Sequence, residues 1–481
     1  MHWIYVATVG PQTSSSLFEK AISFLGIFVI LGAAYLMSSH RKQINWRMVG
    51  TGLGLQLVFA LIIFYLPGGR AFFALATAAI KKLLDFTNQG SSFIFSSFAT
   101  QKWEPSMVNI AFAVLPTIIF FSAIIAILYH LGIMQRVVYA VAWLMQRTMK
   151  TSGPETLSAA ANIFVGQTEA PLMIKPYVNH MTRSELMTVM TGGFATVAGG
   201  VMAIYVALLE PQFPGIAGHL LAASVMSAPA ALIIGKIMIP ETETAQQTLS
   251  LEDEKLDANV IDAASRGTSE GLKLALNVGA MLLTFIALTA LLNYLIGLPS
   301  LLYNKMVLKD LLAQAKQNAT LTIPKACAPF ETLKDAQILP CAEQVRQLLQ
   351  SQAWLAPTIS LQKILGVLFW PFAFAMGIPW QECHLIGALL GEKVVLNELI
   401  AYTSLQQILT SSTQHISYRS MVIATYALCG FANIGSIGIQ IGGIGGIAPK
   451  RKSELAQIAI RAMIAGTLAA FLTATIAGIL I

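Results

Sequence analysis

The chain has 481 residues, 56% of them hydrophobic and only 11% charged, with a mean hydropathy of +0.67. A soluble domain carries roughly 25% charged residues, so a chain this long and this poor in charge cannot cover a globule with polar surface, and lipid must be its main solvent. The net charge of +7 does not point to nucleic acid, because Lys and Arg gather in the cytoplasmic loops of membrane proteins and fix their orientation.

In chain order, apolar spans of the roughly 20 residues a bilayer requires are expected at 17–37, 48–66, 110–131, 219–239, 272–296 and 458–481. A shorter helix is expected over 71–86. Basic patches at Arg41/Lys42/Arg47, Arg136/Arg147/Lys150 and Lys450/Arg451/Lys452 read as cytoplasmic turns. If the first of these is inside, the N-terminus lies outside and the chain alternates from there. The first residues carry no basic n-region, and the span that follows is too long for a signal h-region, so no cleaved signal peptide is expected.

Two stretches break the apolar pattern. Residues 154–180 place Gly166, Gln167, Thr168, Glu169, Pro171 and Lys175 inside an apolar passage, and residues 382–407 do the same with Gly391, Glu392, Lys393, Asn397 and Glu398. A charge at mid-membrane costs about 2.5–3.5 kcal/mol or more, so neither stretch suits a straight lipid-facing helix. Two apolar halves of about ten residues around a polar tip suit a re-entrant hairpin, tolerated where irregular backbone lines a cavity. Each hairpin is followed by a glycine-rich segment, and the cores GGFATVAG and CGFANIGS match in register: Gly193 with Gly430, Phe194 with Phe431, Ala195 with Ala432. This is an internal repeat of hairpin plus broken helix. The span count between the copies makes it inverted, an arrangement that puts a substrate site at the bilayer midplane.

Between the copies, residues 241–269 read as a polar cytoplasmic connector with some amphipathic helix, and 304–352 as a folded or partly folded outer insertion. Cys327 and Cys341 fall in that outer segment, where disulfides persist; they are either bridged or two unrelated loop cysteines. Cys383 and Cys429 show no metal-ligand spacing, so no zinc site is expected.

A carboxylate at a hairpin tip has a bland explanation, as structural partner of Lys175 or Lys393. Yet both copies set Glu beside amides and hydroxyls (Gln167, Thr168, Asn397), and the facing helices add Thr196, Asn433 and Ser436. Two acceptors among uncharged donors suit a neutral, hydroxyl-rich ligand, whereas an anion calls for Arg, which neither hairpin contains. Phe431 is either a packing residue or a ring laid on a planar ligand. An alternative from another class is a membrane-embedded enzyme using Glu169 and Glu398 as acid and base. No phosphate loop, GxSxG or HExxH supports one, and an enzyme has no need of inverted duplication.

At these motifs the chain resembles the concentrative nucleoside transporter family. The matching stretches are GQTEAP at 166–171, GGFATVAGGVMAIY at 192–205, ASVMSAP to PETE at 223–243, NELIAY at 397–402 and GFANIGSIGIQIGG at 430–443. The resemblance covers about 17–302 and 354–481, with 304–352 outside the family core. It implies an all-α, multi-pass protein of the plasma (inner) membrane with scaffold and transport domains, about eight transmembrane helices and two re-entrant hairpins. It also implies a homotrimer in the lipid bilayer that imports purine and pyrimidine nucleosides with Na+, or else H+, by alternating access. No catalytic cofactor, enzyme activity or nucleic-acid partner is expected.

By position in the family, Gln167, Thr168 and Glu169 meet the nucleobase, with Val201 and Phe431 packing on it. Glu398, Asn433 and Ser436 meet the ribose, and Asn162, Val165, Thr196 and Val197 hold the cation, mainly through carbonyls. Thr196 stands where many members have Ser, and Ile434 and Gly435 where FANFSS is common. The organisation expected is N-terminal scaffold helices over 1–150, the first repeat over 151–240, a connector and central transmembrane helix over 241–302, an extracytoplasmic insertion over 303–353 and the second repeat over 354–481.

Overall fold

A computed structural model describes residues 16–95, 115–245, 257–317, 335–349, 351–411 and 414–481, with residues 324, 327 and 333. The protein is all-α, and no strand occurs among the described residues. Six described helices are long and apolar enough to cross a membrane, or seven spans if the pair Pro116–His130 and Ile133–Met149, bent by 76°, counts as one. The expected span at 110–131 appears as the first of these two helices, with residues 110–114 outside the described residues. The helix expected over 71–86 runs further, from Pro67 to Phe95.

Two compact units divide the chain. The larger comprises residues 1–282 and 366–481, the smaller 283–365. In the larger unit the helices differ sharply in what surrounds them. Ile216–Met238 and Pro449–Leu480 are 89% and 83% buried over their apolar windows, whereas Leu17–Leu36 is only 22% buried. A helix apolar on every face belongs in an interior, so the first two form the centre. Leu17–Leu36 leaves Phe24, Leu25 and Phe28 exposed, apolar surface that a bilayer accepts and water does not.

Around that centre lie two copies of one arrangement. In the first, Gly153–Ala161 leads into an irregular turn and a short return, followed by a helix in two pieces, Arg183–Ala195 and Gly199–Leu209. In the second, Cys383–Val395 and Glu398–Thr410 pack on each other, followed by Tyr418–Leu428 and Ile434–Ile447. Each copy then closes with a long helix, Ile216–Met238 or Lys452–Leu480, and these two pack together. The repeat thus extends one helix beyond the hairpin and broken helix legible in the sequence.

The first hairpin departs from the expected two ten-residue arms. Its return is a 3-10 turn at Ala170–Ile174 and a single α-turn at Lys175–Val178. Pro171 and Pro176 supply the reason: each lacks an N–H and fits only the first turn of a helix, so a new start is imposed twice within six residues. Both pieces of this repeat begin with a capping box, Ser152 with Glu155 and Thr182 with Glu185. Lys236 ties the boxes to the following loop, its Nζ 2.9 Å from both Glu155 Oε2 and Glu241 Oε2, while Glu241 also accepts from Thr182 Oγ1 at 2.9 Å.

In the smaller unit, the segment expected as a separate insertion begins as a continuation of the preceding helix. Val260–Gln317 is unbroken over 58 residues, well beyond the roughly 20 of one bilayer crossing. Leu308, Leu311, Leu312, Ile338, Ala342 and Val345 close into a small buried core around Cys327 and Cys341. The two cysteines are bridged, with Cα atoms 5.5 Å apart, which settles the alternative left open by the sequence.

Candidate functional site

The polar groups singled out in the sequence converge where the two broken helices meet. Arg183–Ala195 ends at Thr196, and the chain is extended until Gly199. In the second copy the extended stretch runs through Cys429 to Asn433, so its break begins about one turn earlier relative to the aligned Phe194 and Phe431. That offset separates the roles of the two phenylalanines. Phe194 is buried inside its helix, whereas Phe431 lies in the break, half-buried, with its backbone N–H donating to the Thr196 carbonyl at 3.2 Å. The two breaks are therefore joined directly. Gly430, at φ +145°, permits this: a Cβ there would lie 2.7 Å from the Phe194 carbonyl oxygen.

Glu398 opens the second arm of its hairpin. Asn397 caps that helix, its Oδ1 accepting from Ile400 N at 2.9 Å, and a carboxylate in the first turn is favoured by the helix dipole. The Glu398 side chain is buried and held from two directions. Tyr205 Oη donates to Oε1 at 2.9 Å, and Asn433 Nδ2 donates to Oε2 at 2.9 Å. Asn433 is itself fixed, because its Oδ1 caps the helix that follows by accepting from Ser436 N at 2.8 Å. Tyr205 stacks on Tyr402 with ring centroids 4.4 Å apart, and Tyr402 Oη donates to the Thr425 carbonyl at 2.8 Å. An ionised carboxylate has about four acceptor positions, so two donors leave Glu398 with acceptor capacity to spare.

Gln167 joins the first hairpin to the second broken helix. Its Nε2 donates to Ser436 Oγ at 3.2 Å, and its Oε1 accepts from Gln440 Nε2 at 3.1 Å. Thr168 is half-buried against Gly443, and Val201 is buried in the first turns of Gly199–Leu209. Glu169 is placed differently: it is exposed, with its carboxylate folded back against Gly166. No hydrogen bond or ion pair among the described residues joins Glu169 to Glu398.

Of the four candidate cation ligands, Thr196 and Val197 lie in the first break, and Asn162 and Val165 lie in the turn after the helix Gly153–Ala161. Asn162 ends the helix Gly153–Ala161 and is fully buried; its Nδ2 donates to the Ser158 carbonyl at 3.0 Å, and its Oδ1 has no hydrogen-bond partner. Thr196 Oγ1 donates to the Gly192 carbonyl at 2.9 Å, leaving its lone pairs to accept. Val165 and Val197 are buried. The unpartnered Asn162 Oδ1 is a buried amide oxygen, a ligand type suited to a small hard cation.

The bland explanation for the carboxylates, pairing with a lysine, is met only as an electrostatic interaction between Lys393 and Glu398. Lys393 is fully buried, but its Nζ donates to the Ala427 carbonyl at 2.9 Å in the last turn of Tyr418–Leu428, a C-terminal cap in the usual sense. No ion pair joins it to Glu398 among the described residues, and Lys175 is exposed. Sequence reasoning missed Tyr205, Tyr402 and Gln440. The first two were within sight, as the closing residues of the GGFATVAGGVMAIY and NELIAY motifs.

The chain is similar to known proteins along nearly its whole length. Family models for the Na+ dependent nucleoside transporter match the chain at 25–98 (N-terminus) and at 219–323 and 338–478 (C-terminus), and one for nucleoside recognition matches 111–212. The C-terminal match includes most of 304–352, so the expectation that this segment lies outside the family core is corrected. An uncharacterised transporter of Bacillus subtilis, YutK, is 40% identical over 95% of this chain and 98% of its own length. The mouse solute carrier family 28 member 3 is 37% identical over 96% of this chain, which spans 59% of that protein. Mouse sodium/nucleoside cotransporter 1 is 38% identical over 96% of this chain and 64% of its own. Among solved structures, CNTnw in an inward-facing substrate-bound state is 36% identical with a TM-score of 0.78, covering 96% of this chain and 98% of that one. A doubly substituted CNTnw in an outward-facing state is 35% identical with a TM-score of 0.80, over 96% and 98%. With sequence and fold in agreement, this chain belongs to the concentrative, Na+-dependent nucleoside transporter family.

Proposed function

We propose that the protein is a secondary active symporter of the plasma membrane that imports purine and pyrimidine nucleosides with Na+ by alternating access. The observation that carries this reading is the buried Glu398 carboxylate, held at 2.9 Å by Tyr205 of one repeat and at 2.9 Å by Asn433 of the other. Such a group binds hydroxyls through its remaining acceptor positions, and its two anchors come one from each repeat, which places it between the discontinuous helices where inverted-repeat transporters bind substrate. In this reading Glu398, Asn433 and Ser436 take the ribose. Gln167, Thr168 and Glu169 take the nucleobase, with Val201 and Phe431 packing on its faces. The exposure of Glu169 suits a residue that closes onto substrate only once it has entered.

Asn162, Thr196 and the carbonyls of Val165 and Val197 take Na+, supported by the unpartnered Asn162 Oδ1. Because Thr196 O accepts from Phe431 N, ion and substrate groups share one pair of breaks, a direct physical route for coupling. The apolar window within Ile286–Lys316 is only 6% buried, which supports contact with lipid and with two further copies in a homotrimer.

Uptake by proteoliposomes under an inward Na+ gradient, with choline or with a pH gradient alone tests coupling, ion and substrate range together. Nucleoside accumulation is expected only with Na+; accumulation with the pH gradient alone would assign H+ instead, and equal uptake in all three conditions would remove coupling altogether.

A further inference from the structure

We infer that Gln440 fixes the polarity of the Gln167 amide, and thereby makes this part of the site select ligands that offer a hydrogen-bond acceptor. The inference deepens the proposed nucleoside site and rests on it.

Gln440 lies one turn beyond Ser436 in the helix Ile434–Ile447 and is fully buried. One end of its amide sits 3.1 Å from the Met190 carbonyl oxygen. A backbone carbonyl only accepts, so that end is Nε2. The same Nε2 lies 3.1 Å from Gln167 and therefore meets the Oε1 of that residue. Gln167 Nε2 is then turned the other way, where it donates to Ser436 Oγ at 3.2 Å. An amide nitrogen carries two hydrogens; Ser436 takes one, and the other is left for the site.

By itself a glutamine at a binding site is ambidextrous, since rotating its terminal amide exchanges donor for acceptor. Here the Met190 carbonyl sets the sense, and Gln440 relays it. A ligand facing Gln167 is thereby required to present a ring carbonyl or an unprotonated ring nitrogen. The fit is close: a Cβ on Gly193 would lie 2.7 Å from Gln440 Nε2 and 2.9 Å from Gln167 Cβ, so the glycine clears space for the pair. Gln440 Oε1 meanwhile has no hydrogen-bond partner. An amide retained only to stabilise the interior would have both ends satisfied, whereas this one is placed by what its nitrogen does. Gln440 touches Gln167 rather than the ligand and is a positioning residue.

The test is a double-mutant cycle in proteoliposomes with wild type, Gln440→Met, Gln167→Ala and the double variant. Substrates are uridine, 2-thiouridine and 4-thiouridine, since sulfur is a weak acceptor. Wild type is expected to transport at least one thio-analogue about tenfold less efficiently than uridine, the effect of roughly one hydrogen bond. Gln440→Met should lower kcat/KM for uridine by about tenfold and bring the analogues within about twofold of uridine. Added to Gln167→Ala, it should change uridine kcat/KM by less than about twofold.

An equal loss in the Gln167→Ala background, or a thio penalty unchanged in Gln440→Met, overturns the inference while leaving nucleoside transport intact. Absence of uridine uptake by wild type would remove the nucleoside reading and this one with it. Should Gln440→Met fail to reach the membrane, Gln440→Leu takes its place in the same cycle.

Discussion

The strongest constraint at the scale of single residues is the sharing of one buried carboxylate between two donors on different elements. Tyr205→Phe removes the Oη donated to Glu398 Oε1 and nothing else of that side chain. A hydrogen bond to a charged group contributes about 1.5–3 kcal/mol, so nucleoside uptake should fall roughly tenfold or more at unchanged protein level, as measured by initial rates. Glu398→Gln should lower uptake further. The neutral amide binds hydroxyls less strongly, and its nitrogen must face either Tyr205 or the Asn433 donor. Glu398, Asn433 and Ser436 were legible in the sequence because a polar group in an apolar run needs a reason. Tyr205 was not, since a tyrosine in a transmembrane helix reads as packing until its hydroxyl is seen to have a partner. Gln440 was hidden similarly, among glycines whose periodicity suggests only close helix contact.

Elements meet this site through their ends, and their ends carry the energetics. Gly430→Ala forces a side chain onto a residue at φ +145° and brings its Cβ to 2.7 Å from the Phe194 carbonyl oxygen. A strained backbone of this kind costs about 1–3 kcal/mol, before the close approach to the Phe194 and Ala195 carbonyls is counted. The expected result is a lowered unfolding temperature in detergent together with loss of Na+-dependent uptake, because both breaks are displaced.

A second element-scale prediction concerns the buried lysine joining the two capping boxes. Lys236→Met leaves Glu155 and Glu241 without the ammonium now 2.9 Å from each. Removing one partner of a buried ion pair costs about 3–5 kcal/mol. Thermal unfolding should show a clear loss of stability, and adding Glu155→Gln should restore part of it, since a neutral amide needs no counter-charge. The capping boxes that start these helices were not read from the sequence, although Ser152–Glu155 and Thr182–Glu185 carry the required spacing. The short return of the first hairpin was hidden for another reason: polarity marked its tip, but Pro171 and Pro176 decided its length, and they act through backbone geometry that hydropathy does not record.

For the whole molecule, the chain's two units divide the proposed site from the disulfide-bridged segment. Every residue assigned to substrate or ion lies in the unit formed by 1–282 and 366–481, while the bridge between Cys327 and Cys341 lies in 283–365. Hydropathy could not reveal that the second unit begins inside a continuous helix, because Val260–Gln317 passes from apolar to mixed composition without a helix-stopping signal strong enough to end it; even Pro299 is accommodated within it. In that small core, Leu308, Ile338 and Val345 bury little apolar surface compared with the larger unit, so the covalent closure carries a large share of its stability. A bridge closing about 15 residues contributes about 3 kcal/mol in the chain-entropy model. Replacing both Cys327 and Cys341 by Ser should therefore loosen this unit selectively. Limited proteolysis should cut within 303–353 at protease levels the native protein resists, while Na+-dependent nucleoside uptake persists. Loss of uptake in parallel with cleavage would instead show that the smaller unit takes part in the transport cycle.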